Sequence, residues 1–421
     1  MMPLKNNLPV IALGVFVGVC VLIGGYFFFF GTKSSANKPL SLATSTSVTT
    51  APAVPPVKLV PMITKDSILR SQDGGGTFTT YFRIATSGPV GLADVLAISF
   101  HPLVHDQVVV TTSNDGIFFN ANRENVWTPV NFPPKQIYSF ILDKKSPDNK
   151  VLASGVVGNN GRIFRTTNAG VDWRVVYAEP GPGTHVSGLA QHPKDLNVML
   201  AGTSGGTVVK SLDSGDTWKN VGQKISGVIS QFAFDATKTS FVYLLAYQKK
   251  IYHSPSGGTE WLDWEVEKAK EVSDMKKKAA DLTAKGDKGS AKILLDQATA
   301  LSKRNTENKA PGGIVLIVAD PTKSGTIYAG TSKGLYRSPD FGKYWYKLNI
   351  IESAERFPIR SLAVNPKNSK EVSFVAGKSF YKSTNSGETW ATVPLDNARN
   401  ASFVAYDPFD PSVIFVGMSS K

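Results

Sequence analysis

One short motif recurs seven times along the 421-residue chain, and it constrains the fold more than any other feature of the sequence. The pattern is Ser/Thr-x-Asp/Asn-x-Gly-x-x-Trp. Its clearest copies are SQDGGGTF from Ser71, TTNAGVDW from Thr166, SLDSGDTW from Ser211, SPDFGKYW from Ser338 and STNSGETW from Ser383. Two copies are degenerate, NANRENVW from Asn120 and SPSGGTEW from Ser254, yet both keep the final Trp. A motif repeated along a chain indicates a repeat architecture.

The spacing of the motif is close to constant. Its third position is occupied by Asp73, Asn122, Asn168, Asp213, Ser256, Asp340 and Asn385, at successive intervals of 49, 46, 45, 43, 84 and 45 residues. Its last position is aromatic in every copy and holds Phe78, Trp127, Trp173, Trp218, Trp261, Trp345 and Trp390. The 84-residue interval equals one period plus about forty residues, so it predicts an insertion rather than a lost repeat.

Each motif lies among short apolar segments separated by Gly, Pro and Asx turns. Before the sixth copy these segments read IVLIVADP, TIYAGTS and GLYRS, and another strand follows Trp345. Four short strands per period are typical of one β-propeller blade. The Asx side chain can accept hydrogen bonds from its own turn, and Gly provides a positive φ. We therefore interpret the motif as structural and expect its aromatic residue to pack between neighbouring blades.

The two ends of the chain together supply one further blade. The segment FVAYDPFDPSVIFVGMSSK at the end provides two strands, and SILRSQDGGGTFTTYFRI near the start of the repeat region provides the other two. The sequence therefore predicts an all-β, seven-bladed β-propeller of four-stranded blades over residues 64–421, with a two-plus-two terminal closure. One large all-β domain of this size is common.

The motif resembles the Asp box, or BNR repeat. Over residues 64–421 the pattern is similar to the propellers of the photosystem II stability and assembly factor family and, more distantly, to those of sialidases, sortilin-type receptors and xyloglucanases. The resemblance implies a β-propeller. It does not select a function, because enzymes, receptors and assembly factors share the fold. One carboxylate per turn provides too few oxygens for a dedicated calcium site.

An enzymatic function is the alternative to binding. The segment FRIA at 82–85 is similar to the sialidase Phe/Tyr-Arg-Ile-Pro motif, but Ala85 replaces the Pro and the segment follows the first motif. A glycoside hydrolase would need two carboxylates that face one cleft. Asp320 and Asp407 instead belong to repeated Asp-Pro turns, and the five His residues show no metal-ligand spacing. We predict no catalytic residue, metal or cofactor, and keep a cell-surface glycoside hydrolase or glycan-binding module as the alternative.

The N-terminus predicts a membrane anchor. After a short flank at 1–7, residues 8–31 carry no charge and are long enough to cross a hydrocarbon core of roughly 30 Å as a helix. A cleaved signal peptide is the alternative. The only cysteine, Cys20, lies in this segment, as do Gly14 and Gly18, whose GxxxG spacing suggests weak self-association. Residues 32–63 form a Ser/Thr/Ala/Pro-rich linker typical of tethers, which would place the propeller outside a bacterial cell membrane.

The long interval predicts a helical hairpin at residues 265–305. Apolar residues recur at three- and four-residue steps in two arms that join at AKGDKGS, namely Val266, Ala269, Val272, Met275, Ala279 and Leu282, then Ala291, Leu294, Leu295, Ala298 and Leu301. The hairpin follows the outer strand of one blade and precedes the inner strand of the next. We therefore expect it to emerge on the face opposite the motif turns, either as a partner-docking arm or as a decoration packed on the propeller.

The charge suggests what the partner is like. The chain has 46 basic and 33 acidic residues, a net charge of +13, which favours an acidic protein or an anionic surface polymer. We expect no nucleic-acid partner, because the domain should lie outside the cytoplasm and the sequence shows no known nucleic-acid-binding module. Trp264, the only Trp outside the motifs, would be either the base anchor of the hairpin or a contact residue. The candidate partner-binding residues are Trp264 and, on the face opposite the motif turns, Arg162, Lys249, Lys250, Lys333, Arg356, Arg360, Lys378 and Arg399. Together these features predict a membrane-tethered extracytoplasmic scaffold for protein binding or complex assembly.

Overall fold

A computed structural model describes residues 67–82, 93–105, 107–120, 127–134, 136–350 and 358–420. The strands of its first half are β1 (Ile68–Ser71), β2 (Thr79–Phe82), β3 (Val95–Phe100), β4 (Val108–Thr112), β5 (Ile117–Asn120), β6 (Thr128–Val130), β7 (Ile137–Leu142), β8 (Val151–Val157), β9 (Asn160–Thr166), β10 (Arg174–Ala178), β11 (Val186–Gln191), β12 (Met199–Thr203), β13 (Thr207–Ser211), β14 (Lys219–Lys224), β15 (Ile229–Phe234), β16 (Val242–Ala246) and β17 (Lys250–Ser254). Two helices and ten strands follow, α1 (Trp264–Ala284), α2 (Lys288–Glu307), β18 (Ile314–Ala319), β19 (Ile327–Thr331), β20 (Gly334–Ser338), β21 (Tyr346–Leu348), β22 (Ser361–Asn365), β23 (Asn368–Ala376), β24 (Ser379–Ser383), β25 (Ala391–Pro394), β26 (Asn400–Tyr406) and β27 (Ile414–Ser419).

These strands form seven antiparallel sheets, which are the blades of a propeller. Blade 1 contains β1, β2, β26 and β27, and blades 2 to 7 follow in chain order from β3 to β25. The first strand of each blade lies beside the first strand of a neighbouring blade, so these strands line the centre of the ring. The predicted seven-bladed propeller is therefore confirmed.

Blade 1 closes the ring with strands from both ends of the chain. Its strand order is β2-β1-β27-β26, and β1 pairs with β27 from Ile68 opposite Gly417 to Ser71 opposite Ile414. The two-plus-two closure predicted from the sequence is present. Because β1 and β27 are joined only by these hydrogen bonds and by side-chain packing, the ring depends on the last strands of the chain.

Six of the motifs form the turns between the third and fourth strands of their blades, and we call them box turns. The motif from Asn120 joins β5 to β6 through residues 121–126, which lie outside the described residues. In the box turn of blade 4, Ser211 Oγ donates to Asp213 Oδ1 at 2.7 Å and accepts from the Gly215 backbone N–H at 2.8 Å. Asp213 Oδ1 also accepts from the Thr217 N–H at 2.9 Å. In blade 5 the Ser256 hydroxyl accepts the equivalent bond from the Glu260 N–H at 3.1 Å, so the turn survives without a carboxylate.

The glycine of the box turn is required by close packing as well as by its backbone conformation. Gly215 has φ +81°, and a Cβ atom there would lie 2.4 Å from Leu152 in the preceding blade. Gly387 has φ +92°, and a Cβ atom there would lie 2.6 Å from Leu348. Any side chain at these positions would push two blades apart.

One hydrophobic core fills each of the seven gaps between neighbouring blades, and each core contains the aromatic residue that ends one box turn. Trp345, for example, is 3% exposed and packs among residues of blades 5 and 6, with Nε1 donating to Gly342 O at 2.9 Å. The other six gaps contain Phe78, Trp127, Trp173, Trp218, Trp261 and Trp390, of which Trp261 is buried and the others are partly buried. The repeated aromatic position therefore joins each blade to its predecessor.

The propeller has two faces. The box turns and the turns between first and second strands lie on one face, which we call the box face. The turns between second and third strands and the connections between blades lie on the other, which we call the opposite face. The predicted anchor at 8–31 and linker at 32–63 lie outside the described residues, and no helix among the described residues is long and apolar enough to cross a membrane.

Candidate functional site

The helical hairpin is the feature that departs most from the repeat. It is formed by α1 and α2, which pack antiparallel, and Asn305 of α2 donates to the Lys268 carbonyl of α1 at 3.4 Å. Asp263 caps α1 by accepting from the Glu265 N–H at 3.0 Å, and Asp287 caps α2 by accepting from the Ser290 N–H at 3.0 Å. At 1.5 Å per residue, the 21-residue α1 is about 31 Å long.

The seam between the two helices is made of small and apolar residues. Val272, Ala279, Ala291 and Ala298 are buried there, as the periodicity predicted. Three residues predicted for the seam do not belong to it: Val266 and Leu295 are 64% and 44% exposed, and Ala269 is also exposed. Lys268 is buried in the seam instead, at 1% exposure, so the contact stripe lies one position away from the predicted one at this end of α1.

The prediction that the hairpin emerges on the opposite face is wrong. In blade 5 the fourth strand is reduced to a single bridge, between His253 and Leu262, and α1 begins two residues later. The chain therefore leaves the blade at its box face before it has crossed the sheet. After α2 it returns beside Trp345, whose N–H donates to Asn308 O at 3.0 Å, and crosses along residues 309–313 to reach β18.

The base of the hairpin is held by the box turn of blade 6. Trp264 Nε1 donates to Phe341 O at 2.9 Å, and its ring stacks on His253 with 4.0 Å between centroids. Lys268 Nζ donates to Lys343 O at 3.2 Å and to Glu265 Oε1 at 2.7 Å. Trp264, which the sequence left open as a base anchor or a contact residue, is therefore part of the anchor.

The same box turn carries side chains that the other box turns lack. Tyr344 stands where three other copies have Thr, and it is 4% exposed between the two helices. Its hydroxyl donates to Asn305 Oδ1 at 3.1 Å, and the Arg304 guanidinium lies 4.0 Å from its ring centroid. Through these contacts and the cation–π contact of Lys268 with the same ring, Tyr344 holds both α1 and α2 to blade 6.

Beyond this base, the outer part of the hairpin, residues 276–292, forms a tip of exposed charged residues. Residues 276–292 contain six exposed lysines and two aspartates, a net charge of +4, and the lysines are Lys276, Lys277, Lys278, Lys285, Lys288 and Lys292. These lysines are not among the candidates predicted from the sequence, although three of them form the run 276–278. Their exposure and common sign make the tip a candidate contact surface for an anionic partner.

The candidate residues on the opposite face do not form one cluster. Lys249, Lys333 and Lys378 are exposed, each in a turn between the second and third strands of its blade. Those blades are numbers 5, 6 and 7, so the three lysines follow one sector of the ring. This sector of exposed lysines is the part of the predicted surface that is available to a partner.

Arg399 is not available, because it belongs to the closure of the ring. Its side chain is 5% exposed and pairs with Asp94, which precedes the first strand of blade 2. Asp94 also accepts from the Ser420 N–H at 2.6 Å, near the end of the chain. The pair therefore ties blade 1, blade 2 and the C-terminal segment together.

Three other candidates are also held within the protein, at least in part. Lys250 Nζ lies 2.5 Å from Asp263 Oδ2, and this hydrogen bond raises the pKa of Lys250, so the residue belongs to the hairpin base. Arg360 and Arg162 are half-buried, and burial lowers the pKa of Arg360 while the Asp94 charge opposes that change. Arg356 lies outside the described residues.

A second group of polar residues lies on the opposite face between blades 3 and 4. His185 stacks on Tyr138 with 4.0 Å between ring centroids, and burial lowers the His185 pKa. Next to it, Glu179 accepts from the Tyr177 hydroxyl at 2.7 Å and from Thr184 Oγ1 at 2.9 Å. Burial and then Glu179 raise the Tyr177 pKa, so the hydroxyl stays protonated and donates its hydrogen bond to Glu179. The described residues contain no group of three acidic, His or Cys side chains placed to bind a metal.

The fold, but not the sequence, is similar to known proteins. The sequence matches no protein-family model and no curated protein. The structure is similar to the GH74 xyloglucanase of Xanthomonas campestris, with a TM-score of 0.59, 17% identity and coverage of 80% of this chain and 52% of that one. It is also similar to the GH74 enzyme of Niastella koreensis, with a TM-score of 0.56, 17% identity and coverage of 80% and 53%.

A third similar structure is YCF48 bound to D1 peptide, with a TM-score of 0.49, 14% identity and coverage of 80% of this chain and 95% of that one. The chain thus spans about half the length of the two GH74 enzymes. At 17% identity, the likeness to the two GH74 enzymes shows a shared fold alone.

Proposed function

We propose that this propeller is a membrane-tethered, extracytoplasmic scaffold that binds an acidic protein partner through its helical arm. The observation that carries the proposal is the division of the hairpin into a base locked to blade 6 and a tip of exposed lysines. The exposed lysines of blades 5 to 7 lie on the opposite face, away from the box face at which the hairpin leaves the ring, and form a separate patch of positive charge. The predicted anchor at 8–31 and linker at 32–63 supply the tether.

The packing of the hairpin supports a binding role over a structural one. Its hydrogen bonds and ion pairs to the described part of the propeller involve residues 264–271 and 304–310. Further out, the buried residues Ala279, Ala291 and Ala298 pack one helix on the other. The outer half of the arm therefore contributes little to propeller stability, and its lysines are available to a partner.

Shortening the arm tests the proposal. Replacing residues 274–299 by a Gly-Ser-Gly turn removes the tip and keeps Trp264, Lys268 and Asn305 in place. The tagged full chain and this variant would be purified in parallel from detergent-solubilised membranes of the native host, and bound proteins would be quantified by mass spectrometry. We expect an acidic protein to be enriched with the full chain and lost with the shortened arm.

A charge-reversal variant separates the lysines from the shape of the arm. Lys276→Glu, Lys277→Glu and Lys278→Glu together keep the helix and change the tip charge by six units, so the same protein should be lost. The matched control is Lys249→Glu on the opposite face, which should weaken capture less. A partner that is retained by both tip variants would contradict the proposal.

One observation favours a second candidate function, the binding of a glycan. The partly exposed ring pair of Tyr138 and His185, with Glu179 nearby, resembles an aromatic platform beside a hydrogen-bonding carboxylate. A glycan array and a panel of chromogenic glycosides test this candidate. Binding that is lost in Tyr138→Ala and kept in the shortened arm would support it over the scaffold.

A further inference from the structure

The gap between blades 2 and 3 contains a cavity that faces the box side of the ring. Its volume is about 530 Å³, within the range of roughly 300–1,000 Å³ that is usual for ligand sites. Its walls are mostly apolar and include Phe119, Val130, Phe140 and Trp173. Asp148 lies at its edge, 65% exposed, with His101 Nε2 3.2 Å away.

The equivalent positions in the gap between blades 5 and 6 are filled by aromatic rings. The register of the strands places Gln107, Phe119, Val130 and Ala169 of the first gap in correspondence with Phe241, His253, Trp264 and Phe341 of the second. Phe241 and Phe341 are 4.9 Å apart, and His253 lies between Phe241 and Trp264. The cavity therefore exists because smaller or polar residues replace Phe241, Trp264 and Phe341.

The two gaps also differ in one hydrogen bond. In four gaps, the carbonyl oxygen of the fourth box residue accepts a bond from a side chain of the preceding blade. The donors are Lys210 to Gly257 O at 2.8 Å, Trp264 to Phe341 O at 2.9 Å, Arg337 to Ser386 O at 2.9 Å and Lys382 to Gly74 O at 2.9 Å. In blade 2 the donor position is held by Phe119, which has no donor, and no donor to Ala169 O occurs among the described residues.

We infer that this cavity binds a planar, uncharged aromatic group that carries an N–H donor, such as an indole. The ring would stack on Phe119, as the Trp264 indole stacks on His253, and its N–H would donate to Ala169 O, as Trp264 donates to Phe341 O. The lining is mostly apolar and its one carboxylate, Asp148, is exposed to solvent at the edge, so a cation inside the cavity would lose its hydration without compensation. The indole can come from a free small molecule or from a tryptophan side chain of a partner.

The direct test is binding of N-acetyl-tryptophanamide and of indole to the full chain, measured by isothermal titration calorimetry in one detergent. We expect saturable binding with one site per chain. N-methylation of the indole nitrogen removes the donor and should weaken binding about three- to tenfold. Binding of both probes would point to a side chain as the natural source, and binding of indole alone would point to a free small molecule.

Two variants fill the cavity from within. Val130→Trp restores the residue found at the Trp264 position, and Ala169→Phe restores the residue found at the Phe341 position. Phe is compatible with the backbone there, since Ala169 has φ 57° and Phe341 has φ 63°. Each variant should abolish probe binding, and Val130→Trp should also raise the melting temperature.

A matched control uses the gap between blades 4 and 5. Val221 has the same register as Val130, but Lys210 already donates to Gly257 O in that gap, so Val221→Trp should leave probe affinity unchanged. The unmodified chain and the three variants are measured in the same detergent. Partitioning of the probes into detergent micelles is therefore the same for all four proteins and does not affect the comparison of their affinities. The inference would be overturned if the unmodified chain shows no saturable binding. It would also be overturned if Val130→Trp and Ala169→Phe bind the probes with the same affinity as the unmodified chain.

Discussion

Acidification from pH 7 to pH 5 should destabilise the protein through His253 at the base of the hairpin. The His253 side chain is 3% exposed and stacks on Trp264, and its Nε2 lies 3.4 Å from Glu267 Oε2. Burial lowers its pKa from 6.5 to about 4, while the Asp263 charge opposes that change. Folding therefore favours the neutral imidazole.

The sign and size of the effect follow from linkage between protonation and folding. Below pH 6.5 the unfolded chain binds a proton that the folded chain does not bind until about pH 4. Stability is therefore complete at pH 7, falls as the pH drops through this window, and levels off below it. At pH 5 the loss from His253 alone should be roughly 2 kcal/mol.

The variant His253→Phe isolates this residue, because blade 2 has Phe119 at the equivalent position and the stack on Trp264 can persist. Burial also lowers the pKa values of His101, His185 and His192, so the unmodified protein loses stability from all four histidines. Urea unfolding at pH 7 and pH 5 should show a pH effect that is smaller by about 2 kcal/mol in the variant. An equal pH effect in the two proteins would refute the assignment of a buried neutral His253.

Three further outcomes are expected. Trp345→Ala should lower the free energy of unfolding by roughly 3–5 kcal/mol, because it empties the gap between blades 5 and 6, and urea unfolding measures this loss. Trp264→Ala should release the hairpin base, so that hydrogen exchange in α1 becomes faster while exchange in β7 to β14 is unchanged. Deletion of residues 400–421 should expose β1 and abolish cooperative thermal unfolding, since blade 1 loses two of its four strands.

The repeat could be predicted from the sequence because one motif determines both a turn and an inter-blade contact. The hydrogen bonds made by the Ser hydroxyl and the Asx side chain lie within a single turn, and the aromatic residue that ends the motif recurs once per period. The closure of blade 1 could be predicted for the same reason, since each chain end supplies half of a recognisable blade.

The exit of the hairpin could not be placed correctly, because a repeat pattern does not show where a strand gives way to a helix. A local signal was present: Asp263 followed by Glu265 and Glu267 is typical of a helix start directly after Trp261. The role of Arg399 was hidden for a different reason. Its partner Asp94 lies 305 residues away in sequence and meets it only when the ring closes.

The opposite-face lysines and the tip lysines could be identified by type but not by availability. Lys249, Lys333 and Lys378 are exposed, whereas Lys250 is paired with Asp263, although Lys249 and Lys250 are neighbours in sequence. The difference arises because Lys249 belongs to the turn before β17, whereas Lys250 begins β17 and its side chain reaches Asp263. Which charged residues of a propeller are buried or paired can therefore be predicted only when the register of its strands is known.

Site-specific photo-cross-linking from the arm is the measurement that tests the scaffold most directly. A photoreactive amino acid placed at Lys277, at the tip, would be compared with one placed at Asp195, on the box face of blade 4, in the full chain within native membranes. We expect a discrete cross-linked product between an acidic protein and the probe at Lys277, and no such product from the probe at Asp195. Products that are absent from Lys277, or identical from the two positions, would contradict the assignment of the arm as the partner-binding element.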